Sequence, residues 1–204
     1  MQLTMRDIEI LRFINDFGFC EMPHISKHFN LRNPRNYQII SRLIRADLVK
    51  AEKIFFANNR ILSLTMAGAR HTNLPPISQV SLSRYNHNSY LIDVYMKLAR
   101  VHPAATWLSE RQLYQDKYSV GGTRYRHVPD GLLIFPEDKQ IAIEIELTSK
   151  AKQRWEQIFN AYASDLSVSE VWYYCPRSII NPLRKLADDK KGLIKIFDID
   201  SFLA

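Results

Sequence analysis

Only two cysteines occur in 204 residues, Cys20 and Cys175, and neither belongs to a CxxC pair or a Cys/His cluster. That scarcity argues against a disulfide framework and a thiolate zinc site. It points to a reducing cytoplasm in which both thiols act as small buried hydrophobes. No apolar run approaches the roughly 18 residues of a membrane span, so membrane insertion is not expected. The first residues, Met-Gln-Leu-Thr-Met-Arg-Asp, lack the basic-then-apolar profile of a secretory signal. Internal repeats and low-complexity segments are missing too. The remainder, 46% hydrophobic and 24% charged, is an ordinary globular composition, with length for one large domain or two small ones.

Acidic residues are sparse where basic ones gather. Residues 1–80 carry eleven Lys/Arg against six Asp/Glu, whereas 81–204 carry seventeen against fifteen, within a total net charge of +7. An excess confined to the first two-fifths of the chain suggests an anionic polymer as partner, through phosphate neutralisation. Charge alone does not separate DNA from RNA or an anionic membrane surface.

Residues 4–71 read as a winged helix-turn-helix. Thr4 is a helix N-cap with Asp7 at the acidic position of a capping box. Ile8, Leu11, Ile14 and Phe17 follow at helical spacing, and Gly18 can close the helix. A short second helix over 22–29 and a turn at 30–33 precede Pro34, which suits the first position of a third helix over 35–47. That helix is expected to bury Ile39, Ile40, Leu43 and Ile44 and to present Arg35, Asn36, Tyr37, Gln38, Ser41, Arg42 and Arg45. Segments 48–56 and 61–64 then form a hairpin wing with an Asn-rich tip. As a DNA reader, this unit would use Arg42 and Gln38 at base edges and Lys53 and Arg60 on phosphates. The same architecture also serves as a protein docking module.

Residues 73–83, with a Pro-Pro step and Ser/Asn content, are expected to be a linker, and a helix over 84–101 follows. A loop over 116–125 with a Gly-Gly hinge leads to the most informative stretch, His127-Val-Pro-Asp130 through Glu144-Ile-Glu146-Leu-Thr-Ser-Lys150. Ile141, Ile143, Ile145 and Leu147 alternate with Ala142, Glu144, Glu146 and Thr148, the two-residue period of a strand. The apolar run 128–135 is its hairpin partner across the turn 136–139. Matching faces sets Asp130 opposite Glu144 and Leu132 opposite Ala142, with facing Cβ atoms about 4.5–5.5 Å apart. Carboxylates that close repel unless a cation or proton lies between them. A hard ion such as Mg²⁺, held by one or two carboxylates plus phosphate and water, is the natural occupant. Arg124, Arg126 and His127 approach the same place and would suit a DNA strand. Solvent-facing acids on a sheet edge are the plainer alternative.

Pro129-Asp130, a short hairpin and Glu144-x-Glu146 resemble the PD-(D/E)XK nuclease signature. Glu146 stands where that family usually has Lys, and Lys150 is placed to return the ammonium. Trp107-Leu-Ser-Glu110-Arg111 resembles the family's first core helix, whose acid completes the metal site, which gives that role to Glu110. The wider order of winged helix, Pro-containing linker, Ser-Glu, Pro-Asp-Gly and Glu-x-Glu-x-x-x-Lys, then a helix ending near Tyr162, is similar to the replication-relaxation family, in particular MobC-class plasmid mobilisation relaxases. The resemblance implies an α+β protein: a winged helix over 1–72, a linker over 73–83 and a restriction-endonuclease-like α/β domain with a mixed central sheet over 84–204. It implies a Mg²⁺- or Mn²⁺-dependent enzyme that nicks one strand at a plasmid transfer origin, on double-stranded and locally melted DNA. A plasmid accessory mobilisation protein and a coupling protein would be its partners. Asp130, Glu144, Glu146, Lys150 and Glu110 would be catalytic, with Asp130, Glu144 and Glu110 on the metal. Two other outcomes remain open: a non-catalytic winged-helix regulator of plasmid replication or transfer with a degenerate nuclease fold, and a restriction or repair endonuclease.

Overall fold

The computed structural model describes residues 2–54, 60–119 and 127–204. It is a mixed α+β structure, with nine α-helices among the described residues, that divides into two compact units, Met1–Ile92 and Asp93–Ala204.

The first unit runs α1 (Met5–Asp16), β1 (Phe19–Glu21), α2 (Met22–His28), α3 (Arg35–Arg45), β2 (Val49–Glu52), β3 (Ile61–Leu64) and α4 (Met66–Ala69). Its sheet is antiparallel in the order β1-β3-β2. The capping box read from Thr4 and Asp7 is present, with the Asp7 side chain accepting from the Thr4 amide at 2.9 Å. Gly18 closes α1 at φ 78°, a conformation that favours glycine. Gly68 lies against the Leu48 carbonyl so closely that a Cβ would meet it at 2.0 Å.

Four expectations for this unit need correction. Helix α3 stops at Arg45, because Asp47 takes φ 55°. Ile44 is 37% exposed, since the buried stripe is Asn36, Ile39, Ile40 and Leu43. Of the described part of 48–56, expected as the first wing strand, β2 covers Val49–Glu52, and residues 55–59, with the asparagines of the tip, lie outside the described residues. Residues 73–83 are not a free linker: Leu74 is buried and its carbonyl accepts from Asn15 Nδ2 at 2.6 Å. Val80 and Tyr85 pack with Phe19 and Ile61. The apolar residues among the prolines dock on the first unit, and the boundary falls inside α5 (Tyr85–Val101).

The second unit continues with β4 (Thr106–Ser109), α6 (Glu110–Ser119), β5 (Gly131–Ile134), β6 (Gln140–Ile145), α7 (Lys152–Ala163), β7 (Glu170–Cys175), α8 (Arg177–Leu186), β8 (Ile194–Asp198) and α9 (Ile199–Leu203). The five strands lie in sequence order; β4-β5-β6 are antiparallel and β6-β7-β8 parallel. Parallel neighbours require crossovers, which α7 and α8 supply. Their apolar stripes, Trp155, Ile158, Phe159 and Tyr162 with Ile179, Ile180 and Leu183, join Leu132, Ala142, Val171, Tyr173 and Cys175 in one core on one face of the sheet. On the other face Tyr174 stacks on Phe197 and meets Phe202 of α9, while Trp107 meets Tyr95 of α5. Both cysteines are buried and free, and burial pushes the Cys175 thiol up to about 12.

Two differences stand out here. Trp107-Leu-Ser is a strand rather than part of a helix; its registered partners Leu133, Leu132 and Gly131 give it a ladder, and α6 begins only at Glu110. The Trp107 indole lies over Gly131, where a Cβ would meet it at 2.1 Å. Residues 116–119, expected in a loop, continue α6, and 120–125 lie outside the described residues.

At one end of the parallel strands Glu170 accepts from Lys139 Nζ at 2.7 Å, Lys195 Nζ at 2.6 Å and Trp172 Nε1 at 2.7 Å. Burial pushes this carboxyl up, but the hydrogen bonds from Lys139, Lys195 and Trp172 outweigh it and bring the pKa down to about 2. A carboxylate depressed in the folded state stabilises above its unfolded value and loses that contribution as pH falls through the folded one. Glu170→Gln is therefore expected to lower the melting temperature at pH 7, with the difference shrinking as pH falls from 4.5 toward 2. Thermal denaturation across that range checks it; a pH-independent difference contradicts the assignment.

Candidate functional site

The register read from alternation is the one observed. Leu132 pairs with Ala142 and Gly131 with Ile143, which sets Asp130, the residue just before β5, opposite Glu144. On the other side Glu144 is in register with Tyr173 of β7. Glu146 follows β6, its amide donating to the Tyr174 carbonyl at 3.0 Å. The acids thus join the face covered by α7, and their exposure is only 8% for Asp130, 7% for Glu144 and 3% for Glu146. They are not edge acids in water.

Each carboxylate has its own partner. Asp130 Oδ2 accepts the Ile145 amide at 2.8 Å. Glu144 Oε1 meets His127 Nε2 at 2.8 Å and accepts the Tyr162 hydroxyl. Glu146 Oε2 pairs with the Lys150 ammonium and accepts from Trp155 Nε1 at 3.3 Å. His127 and Lys150, with side chains 23% and 38% exposed, form the solvent-facing rim. Burial raises the Glu144 carboxyl above the ordinary carboxylate range, and Asp130 adds to the rise while His127 and Tyr162 oppose it. Burial likewise pushes up the Tyr162 and Tyr173 hydroxyls, reinforced in both by the charges of Glu144 and Asp130, and in Tyr173 also by Glu146. Buried tyrosines with raised hydroxyls are poor nucleophiles, and Tyr174 is buried as well.

The Tyr173 hydroxyl makes no hydrogen bond to any described residue although it is fully buried. A buried hydroxyl normally finds a partner. Its position beside three acids suits a water or hydrated ion among them. Among the described residues, no three His, Cys, Asp or Glu side chains group closely enough to hold an ion by themselves. The donors fit a cation that keeps much of its water, held by two carboxylates, as Mg²⁺ commonly is. Glu110 meets this place through its main chain, its amide donating to the Asp130 carbonyl at 3.1 Å.

The candidate nucleic-acid residues divide. Tyr37, Gln38, Ser41 and Arg45 share the exposed face of α3, and Arg35 is exposed at its start. Lys53 and Arg60 are exposed beside β2 and β3. Asn36 is instead 5% exposed, donating to Ser26 Oγ at 2.7 Å and accepting the Tyr37 amide at 2.8 Å, so it joins α2 to α3. Arg42, its side chain 36% exposed, turns back to pair with Asp7 Oδ1 at 2.6 Å. Arg124 and Arg126 lie outside the described residues.

His127, Trp155, Tyr162 and Tyr173 are the site residues that the sequence does not single out for roles on the acids. Trp155 and Tyr162 lie seven residues apart on the buried face of α7. Periodicity reports burial, though, and not where an indole N–H or a hydroxyl points.

Comparison with protein-family models, curated proteins and solved structures finds no match for this chain. No described helix is long and apolar enough to cross a membrane.

Because the Glu144 carboxyl is raised by burial, its contribution to stability is complete below the ordinary carboxylate pKa and lost as pH rises through the folded value. Glu144→Gln removes that titration. In chelator-treated protein it is expected to melt higher than wild type at pH 8, with the gap closing near pH 4. A lower melting temperature at pH 8 contradicts the assignment.

Proposed function

We propose that this chain is a two-part DNA-processing protein. Its first unit is a winged helix that binds double-stranded DNA, and its second is a PD-(D/E)XK-like unit that cleaves a phosphodiester with Mg²⁺ or Mn²⁺. The observation carrying this reading is the burial of Asp130, Glu144 and Glu146 on one sheet face, with Lys150 at the rim. Burying three acids is unfavourable for folding, and a buried acid cluster in which one carboxyl, Glu144, is raised by burial is a candidate functional site.

Asp130 and Glu144, helped by the Ile145 carbonyl, would hold the ion, which when bound supplies Lewis acidity and an activated water. Glu146 would orient that water, and the Lys150 ammonium would offset charge developing on the phosphoryl group. Water, rather than Tyr162, Tyr173 or Tyr174, is the assigned nucleophile. The resemblance to mobilisation relaxases extends the reading to single-strand nicking at a plasmid transfer origin, with an accessory mobilisation protein and a coupling protein as partners.

For the first unit, the helix-strand-helix-helix-strand-strand order and the polar face of α3 support major-groove reading. Gln38 and Arg45 replace Arg42 as the leading contacts. A second reading, a non-catalytic DNA-binding regulator, is favoured by one observation: every one of the three carboxylates is already bonded inside the protein.

Nicking of supercoiled plasmid carrying the protein's own genomic region separates the two readings. Wild type with Mg²⁺ or Mn²⁺ is expected to give nicked circles, and Asp130→Ala to lose roughly a hundredfold or more in rate while still binding. Equal binding by both with no nicking by either establishes the regulator; linear product points to a double-strand endonuclease. On duplexes selected from a random library, Gln38→Ala is expected to relax sequence preference. Arg45→Ala should weaken all duplexes alike and flatten the salt dependence of binding, as anisotropy titrations will show. If neither change alters sequence preference, α3 does not read bases.

A further inference from the structure

The geometry points to His127 and Tyr162 as positioning residues that clamp one oxygen of Glu144, leaving its other oxygen to ligate a divalent cation. This inference rests on the metal site proposed above and adds two residues to it. Both groups converge on Oε1: His127 Nε2 at 2.8 Å and the Tyr162 hydroxyl. They come from separate elements, His127 from the segment before β5 and Tyr162 from the last turn of α7. The two rings brace each other edge-on, with centroids 5.4 Å apart and planes at 85°. Tyr162 is 2% exposed and sits in the α7 stripe, so its hydroxyl cannot swing away without opening the core.

A glutamate on a strand would otherwise turn about its terminal bond and offer either oxygen, or both. Two donors on Oε1 remove that freedom. Oε2 then has no hydrogen bond to any described residue, and it belongs to the carboxylate that lies opposite Asp130 across the hairpin. The Tyr173 hydroxyl, in register with Glu144 and unpartnered among the described residues, is a second sign that this cluster has room for a further polar occupant. Groups that orient a metal-bound carboxylate typically change metal affinity by roughly tenfold to a hundredfold when removed. Tyr162 and His127 thus act through Glu144 and need not touch the substrate.

The test is the affinity of the full chain for Mn²⁺ alone, read by calorimetry or by the spin-resonance signal of free Mn²⁺, with melting temperature measured alongside. Tyr162→Phe and His127→Ala are each expected to weaken Mn²⁺ by roughly tenfold to a hundredfold. His127→Gln, whose amide can donate near the Nε2 position, should recover much of the loss. Tyr174→Phe removes a buried hydroxyl on the opposite face of the sheet and should leave affinity unchanged. A purely structural role would lower melting temperature in all the variants without this pattern. If Tyr162→Phe and His127→Ala bind Mn²⁺ like wild type while Glu144→Ala does not, the clamp is wrong and the metal site stands. If wild type itself fails to bind Mn²⁺, both the site and the clamp are overturned. The two histidine variants keep the test valid should Tyr162→Phe not fold.

Discussion

Everything specific about the second unit follows from placing three carboxylates inside it. Like charges about 5 Å apart repel by about 3 kcal/mol at an effective dielectric near 20. Each must also give up its water. The surrounding fold answers both costs locally: an amide for Asp130, a phenol and an imidazole for Glu144, an ammonium and an indole for Glu146. The answer is incomplete, because the Glu144 carboxyl remains raised and the Tyr173 hydroxyl remains unmatched among the described residues.

The contrast with Glu170 makes the point. That residue accepts from two lysines and an indole, and its carboxyl is lowered. Its surroundings over-supply positive charge, as a structural clamp does. Glu144 accepts from no lysine or arginine among the described residues and sits beside another acid. Within one five-stranded sheet, one end is electrostatically settled and the other is not. The proposed chemistry belongs at the unsettled end.

Legibility in the sequence tracks periodicity. The strict alternation of 141–147 determines which side chains share a face, so the pairing of Asp130 with Glu144 can be read from the residue pattern alone. Where periodicity is silent, sequence and fold part company. Trp107-Leu-Ser is too short to reveal a period, and its strand state comes from pairing with β5 across more than twenty residues of chain. The Pro-Pro segment has the composition of a linker, yet Leu74 and Val80 dock it on the first unit. On α3, charge type alone does not reveal that Arg42 pairs with Asp7 or that Asn36 is buried against Ser26. An arginine on a DNA-facing helix and one reaching back to Asp7 look alike in sequence, and the difference lies in where α1 begins. Tyr162 and Tyr173 are legible as core and illegible as hydroxyls, because their polar ends matter only once β6 and β7 are in register.

The central claim is that the buried acids form a cation site and not a self-sufficient polar core. Anomalous diffraction from crystals soaked in Mn²⁺ tests it most directly. The account predicts a peak between Asp130 and Glu144, within bonding distance of both carboxylates, that disappears in Asp130→Ala. Saturating Mn²⁺ with no peak there, and all three carboxylates still in their internal hydrogen bonds, would contradict it.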